Sequence, residues 1–398
     1  MQVSNRVAGL TPSLTLGISA KAKQMKKEGK DVVDFSAGEP DFSTPEPVQK
    51  AAIKAIEENY TRYTPVAGSA ELIWAISKKF KEENNLDYSP SQIVVANGAK
   101  QIIFNALQVV CNPGDEVILP MPYWVSYPEQ IRLAGATPVY VYLDFEKGLK
   151  IDEEELKRAI HPGKTKAIII NTPHNPTGGV LDRRELEKIA RVVEDSSILV
   201  ISDEIYENFV YEVSHTSFAS LGENIYNKTL TVNGVSKTYS MTGWRIGYAG
   251  GPEQIIQAMI KLQSHSTSCA SSISQKAAIA ALNLQKAEVK DRIKEFSYRR
   301  KLIKDGLKKI KGVRVNKLQG AFYVFPDFTY FLGTFTGERK IKNSLDLADY
   351  LLEEAGVALV PGSAFGMEGY LRMSYALPVE DIKKGLDRMK QALDKLRG

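Results

Sequence analysis

The chain has 398 residues, 43% hydrophobic and 25% charged, proportions that exclude a mainly disordered or fibrous protein. Its 52 basic and 47 acidic residues are mixed along the chain, so the net charge of +5 describes a solvated surface rather than a nucleic-acid stripe. Two cysteines, Cys111 and Cys269, and four scattered histidines supply neither a disulfide framework nor the spacing of a structural zinc site, and no metal is expected.

The first residues, MQVSNRVAGLTPSLTLG, lack the basic segment, apolar core and cleavage site of a signal peptide. No run approaches the ~20 apolar residues of a membrane span. A cytoplasmic protein without membrane attachment is therefore expected. The stretch through SAGEPDFSTPEP is rich in Gly and Pro and reads as irregular. From about residue 90 to 251, short apolar runs alternate with helical patterns. The runs are QIVVANG (92–98), EVILP (116–120), TPVYVYL (137–143), TKAIIINTP (165–173), SILVISDEIY (197–206), TLTVNGVSK (229–237) and RIGYAGG (245–251). Most are continuous in Val, Ile and Leu, as strands covered on both faces must be. Between them, residues 182–195 place Leu186, Ile189, Ala190 and Val193 at helical spacing. This order predicts an α/β domain with a mostly parallel seven-stranded sheet. Towards the C-terminus, strand-like pieces (AFYVFPDF, YLRMSYAL) precede a last helix with Ile382, Leu386, Met389, Leu393 and Leu396 on one stripe. The expected division is a large α/β domain over 48–290, and a smaller α+β domain built from both chain ends, 1–47 and 291–398.

Ligands of open α/β sheets collect beyond the carboxyl ends of the strands, so the residues at the end of each run are the candidates for a site. ILVIS ends in Asp203-Glu204, with Tyr206 close behind: a carboxylate able to hold a cationic ring nitrogen beside a phenol, or simply a capping acid. AIIIN ends in a turn made rigid by two prolines and two glycines, either a turn and no more or one that fixes Asn175 in a way that suits a donor to a ligand oxygen. TLTVNGV ends in Ser236-Lys237, with Arg245 eight residues on. A lysine in a dry pocket loses its proton readily and becomes a nucleophile for carbonyl compounds. QIVVAN opens into Gly98-Ala99-Lys100 and a helix, a seat for phosphate at the positive helix end. No GxGxxG comes after the first strand, which argues against a dinucleotide. Lysine, carboxylate, phenol, amide, arginine and phosphate seat together suit pyridoxal 5′-phosphate.

The segments SAGEPDFSTP, RYTPVAG, PYWVSYPE, NTPHNPTGG, SDEIYE, SKTYSMTGWRIGY and YLRMSYA resemble, in order and spacing, the class I aminotransferases of pyridoxal-phosphate fold type I. They are similar in particular to the bacterial and plant branch of aspartate aminotransferases, some of which also accept prephenate. The resemblance spans essentially the whole chain. It implies that Lys237 carries the cofactor and moves a proton, that Asp203 pairs with the pyridinium nitrogen, and that Tyr206 and Asn175 bond the 3′-oxygen. Trp124 would stack on the ring. Backbone N–H groups around Gly98, Ala99 and Lys100, with Arg245, would hold the phosphate. Tyr63 would reach the phosphate of a neighbouring subunit, implying a homodimer with shared sites. The family often has Ser-x-Ser-Lys; this chain has Gly234 at the first position, leaving Ser236 as the nearby hydroxyl. Arg372 would clamp the substrate α-carboxylate, and Gly38 would let the backbone approach it. Lys100, with Ser13 and Thr15, would line the wall for a distal carboxylate. Aspartate and glutamate are thus the expected substrates. Prephenate users tend to carry a basic residue just before Pro-Ser, where this chain has Thr11.

The implied activity is transfer of the amino group of aspartate to 2-oxoglutarate. Alternatives on the same fold are an aromatic, alanine or prephenate aminotransferase, or a lyase. A transcription factor using such a domain as a sensor would need a DNA-binding domain of roughly 70 residues, for which the N-terminal ~35 leave no room. A catalytically dead homologue would not be expected to keep Lys237, Asp203, Asn175, Tyr206, Arg245 and Arg372 together.

Overall fold

The computed structural model describes residues 1–396. A short strand β1 (Val33–Asp34) precedes the eight strands of the main sheet: β2 (Ile93–Ala96), β3 (Glu116–Met121), β4 (Thr137–Asp144), β5 (Lys150–Ile151), β6 (Thr165–Asn171), β7 (Leu199–Asp203), β8 (Thr229–Gly234) and β9 (Gly247–Gly250). Their order is β2-β9-β8-β7-β6-β3-β4-β5. The seven expected strands are all present, and β5 adds a two-residue antiparallel edge. Strands β4, β3, β6, β7 and β8 are parallel, whereas β9 runs against both β8 and β2.

Alternation sorts the buried strand residues onto two faces. Val117, Leu119, Ala167, Ile169, Leu199 and Ile201 meet Ile102, Ile103 and Ala106 of the helix Ala99–Val110. Ile118, Ile168, Ile170 and Val200 meet Leu186, Ile189 and Val193 of the helix Arg183–Val193. That second helix starts where Asp182 accepts a hydrogen bond from the Glu185 N–H, a cap worth about 1 kcal/mol. Full burial of its Leu, Ile and Val adds roughly 1.5–3 kcal/mol each.

The two chain ends meet in a parallel pairing, Val33 with Val357 and Asp34 with Ala358. Around it lie β10 (Tyr323–Val324), the hairpin β11 (Phe335–Thr336) and β12 (Arg339–Lys340), then β13 (Val357–Ala358), β14 (Val360–Pro361) and β15 (Leu371–Ser374). The last helix, Val379–Leu393, buries Ile382, Leu386, Met389 and Leu393 as its stripe predicts.

The N-terminal stretch departs from the irregular expectation. Leu14–Lys27 is a 14-residue helix, started by Ser13, whose Oγ accepts from the Leu16 N–H. Only Ile18 and Ala22 of it are buried. So narrow an apolar stripe leaves little periodicity to read. Among the described residues no helix is long and apolar enough to cross a membrane.

Candidate active site

Register aligns the business ends of the strands. Asn171 lies opposite Asp203, Asp203 opposite Val232, and Gly247 between Gly234 and Ala96. At this edge a cavity of about 440 Å³ opens, lined by Lys237, Asp203, Tyr206, Asn175, Arg245 and Arg372 among others.

Lys237 lies three residues beyond the end of β8. Its Nζ donates to the Gly38 carbonyl at 2.6 Å. Burial drives its pKa down to about 8, with Glu39 acting in the opposite sense. A substantial share of neutral, nucleophilic amine therefore exists at physiological pH.

Asp203 ends β7 and is 4% exposed. Burial raises its pKa to about 6, although the Tyr127 hydroxyl donates to Oδ2 at 2.7 Å and the Ile205 N–H to Oδ1 at 3.2 Å. No cation bonds it among the described residues, so the carboxyl suits a protonated ring nitrogen. Asn175 is held by its own N–H, which donates to Asn171 Oδ1 at 2.9 Å. Its Oδ1 accepts from Arg372 at 3.3 Å. Tyr206 shares a 2.9 Å hydrogen bond with the Tyr323 hydroxyl. Trp124 packs edge-on to Tyr127, 5.2 Å between ring centroids, with Lys100 Nζ 4.9 Å from its ring.

The turn after β2 is an anion cradle. Gly98 has φ +91°, and a Cβ there would strike the Arg245 guanidinium. A Cβ on Gly247 would likewise strike the Ala99 backbone nitrogen. The Ala99 and Lys100 N–H groups begin a 12-residue helix and find no acceptor among the described residues. Arg245, held in the left-handed region at φ +58°, donates to the carbonyls of Thr242 and Asn97 at 2.8 and 3.1 Å. Burial, and then Arg245, lower the pKa of Lys100. Positive charge thus gathers here around uncapped amides, as a phosphate requires. At Gly234, where the family often has serine, a Cβ would lie 2.9 Å from the Ile246 carbonyl oxygen and 3.0 Å from Gly247 Cα. Ser236 lines the cavity.

Arg372, on β15, is 2% exposed. It donates to the Ser36 carbonyl at 2.8 Å, and its Nε has no partner among the described residues. Burial lowers its pKa, with Tyr323 and Tyr206 opposing. A buried guanidinium bonded only to neutral oxygens suits an incoming carboxylate. A Cβ on Gly38 would meet the Tyr323 hydroxyl at an ordinary 3.5 Å.

Thr15, Lys100, Ala99 and Trp124 also line this cavity. Ser13 does not: its Oγ caps the N-terminal helix, and it lines a neighbouring hollow that shares Lys100 and includes Thr11. Tyr63 is 91% exposed and stands outside the cavity. Sequence reasoning missed Tyr127, Ser36, Asn171, Glu39 and Tyr323, all of which line it. Tyr127 and Asn171 lie inside recognisable motifs, Tyr127 one helical turn after Trp124. Tyr323 carries no local signal, because only the pairing of β10 with β15 brings it to the site.

The family profile "Aminotransferase class I and II" matches residues 30–389. An aspartate aminotransferase of Bacillus sp. (strain YM-2) is 48% identical over 388 residues, covering 97% of this chain and 98% of that one. A Petunia hybrida protein named bifunctional aspartate aminotransferase and glutamate/aspartate-prephenate aminotransferase is 47% identical, covering 99% of this chain and 83% of its own. Among solved structures, the aspartate aminotransferase of Rhizobium meliloti superposes with a TM-score of 0.95 at 43% identity, covering both chains completely. That of Thermus thermophilus with maleate gives 0.92 at 41%, covering 98% of this chain and all of its own.

Proposed function

The chain belongs to the class I and II aminotransferases, and we propose that it uses pyridoxal 5′-phosphate to move the amino group of L-aspartate to 2-oxoglutarate, giving oxaloacetate and L-glutamate. One observation carries the reading. A buried amine of lowered pKa shares a cavity with a buried carboxyl to which no cation bonds, and with an arginine-backed helix start whose first amides find no acceptor, among the described residues. Bound there, pyridoxal phosphate supplies the electron sink that lets an amino acid lose its Cα proton.

The chain's own groups do the rest. Arg245 and the Ala99 and Lys100 amides hold the phosphate, and Asp203 keeps a proton on the ring nitrogen. Tyr206 and Asn175 would bond the ring's 3′-oxygen, and Trp124, lining the same cavity, would stack on the ring and exclude water. Lys237 would hold the cofactor, and its amine, neutral in good part, would take up the substrate's Cα proton. Arg372 receives the α-carboxylate on two parallel N–H groups. Lys100 and Thr15 face the distal carboxylate. The maleate of the Thermus thermophilus structure, a dicarboxylate, supports that side-chain preference. Tyr63, so exposed on a single chain, is assigned to the phosphate of a partner subunit in a homodimer. The cofactor-binding unit is assigned to residues 48–290, and the smaller unit bearing Arg372 to 1–47 and 291–398.

A spectrally monitored half-reaction with a panel of amino acids tests the reading. Aspartate should bleach the cofactor band far faster than phenylalanine or alanine. A phenylalanine rate equal to or above that of aspartate would reassign the substrate, and ammonia release without a keto-acid acceptor would reassign the reaction.

A further inference from the structure

Tyr323 lies between the two halves of the candidate site. It sits on β10, where it pairs with Ser374 of β15. Arg372 is two residues before Ser374 on the same strand and so points to the same face. Diagonal cross-strand neighbours lie within reach of an aromatic ring and a long side chain. Accordingly the Arg372 guanidinium lies 4.7 Å from the centroid of the Tyr323 ring. The Tyr323 hydroxyl in turn lies 2.9 Å from that of Tyr206. Tyr323 is 1% exposed, and burial raises the pKa of both phenols, so both keep their protons.

Proton counting orders this pair. Each phenol has one hydrogen to donate. If Tyr206 spends its hydrogen on the cofactor's 3′-oxygen, it can only accept in the contact with Tyr323, so Tyr323 must be the donor. An oxygen that accepts a hydrogen bond becomes the better donor, as in any polarised chain. We propose that Tyr323 is a positioning residue with two separable duties: its hydroxyl fixes and strengthens the hydrogen bond that Tyr206 gives to the cofactor, and its ring supports Arg372 for the substrate carboxylate. The inference rests on the proposed use of pyridoxal phosphate. It adds a link between the cofactor's oxygen and the substrate's arginine that runs through one side chain.

The two duties come apart by substitution. Tyr323→Phe keeps the ring and deletes the donor, and Tyr323→Leu deletes both. In the holoenzyme, losing the donor leaves negative charge on the 3′-oxygen less stabilised. The pH midpoint of the visible cofactor band should then rise by about half a unit to one unit. The apparent dissociation constant of maleate, a dicarboxylate that cannot react, should stay within about twofold of wild type for Tyr323→Phe. For Tyr323→Leu it should weaken by about fivefold or more, the scale of one buried cation–π contact. In a Tyr206→Phe background, Tyr323→Phe should move the midpoint no further, because the group it acts through is gone. An unchanged midpoint for Tyr323→Phe in the wild-type background overturns the proposal, as does an equal shift in the Tyr206→Phe background. If Tyr323→Leu does not fold, the Phe variant and the double-substitution cycle still decide the hydroxyl's role. A wild-type protein with no visible band would instead refute the use of the cofactor itself.

Discussion

Asp203 and Glu207 stand four residues apart on one segment, and both are buried, at 4% and 8% exposure. Their surroundings differ. Glu207 faces away from the candidate site, where Lys79 and the Asn84 amide donate to its two oxygens. Beside it, Glu204 accepts from Ser202, Ser217, the Phe218 N–H and His215. Burial works to raise the pKa of Glu207, yet Lys79, His215 and Asn84 outweigh it, and the net shift is downward. For Asp203 the same burial wins, and its pKa rises to about 6. The rear carboxylates are held by Lys79 and by neutral donors of the chain. Asp203 has hydrogen-bond donors but no bonded cation, and the Nε of Arg372 and the amides of Ala99 and Lys100 have no acceptor, among the described residues. The difference separates two uses of a buried carboxylate: the rear ones are bonded by groups of the chain, and the front one keeps the raised pKa and open bonding capacity that suit a ligand.

The sharpest break of this comparison removes the front amine. Lys237→Ala should lower the half-reaction rate with aspartate by at least about 10³-fold, read from the decay of the cofactor band, with the circular dichroism spectrum unchanged. Next comes the crossed pair. Glu207→Gln, which removes the buried counter-charge of Lys79 and leaves it the more distant, more exposed Glu83, should cost about 3 kcal/mol in urea unfolding, while the folded fraction keeps its turnover within a few-fold. Asp203→Asn should show the reverse, turnover down about 10²-fold with stability undiminished. If both substitutions strike the same property, the two clusters do not have separate duties. Arg372→Lys should raise the Michaelis constant for aspartate by about tenfold or more, since an ammonium cannot reproduce two parallel bonds.

Much of this arrangement is legible in the residues. The continuous apolar runs announce buried strands, and the rule that ligands collect at strand ends leads directly to Asp203, Asn175, Lys237 and Gly98. What the sequence hides depends on through-space pairing. Tyr323 reaches the site only because β10 pairs with β15. The helix Leu14–Lys27 stays hidden because it buries so little of itself, and with it the difference between Thr15, which lines the cavity, and Ser13, which caps a helix. Tyr63 cannot be placed by a single chain, where it is exposed; the partner-site role proposed for it would leave it so.

A smaller effect comes from the direction of the Lys237 shift. Its pKa falls from 10.5 to about 8 on folding. Below pH 8 the cofactor-free protein therefore bears the cost of a buried charge, and this cost is relieved as pH rises from about 8 to 10.5. Cofactor-free Lys237→Met should be more stable than wild type at pH 7, by up to about 3 kcal/mol. The gap in urea midpoints should close across that window, and a pH-independent gap would place the amine in water.

The most direct measurement asks where the cofactor is attached. Protein loaded with pyridoxal phosphate, reduced with borohydride and digested should carry the phosphopyridoxyl group on the peptide containing Lys237, and Lys237→Ala should carry none. A label on Lys100 or spread over surface lysines, with Lys237 unmodified, would contradict the account at its centre.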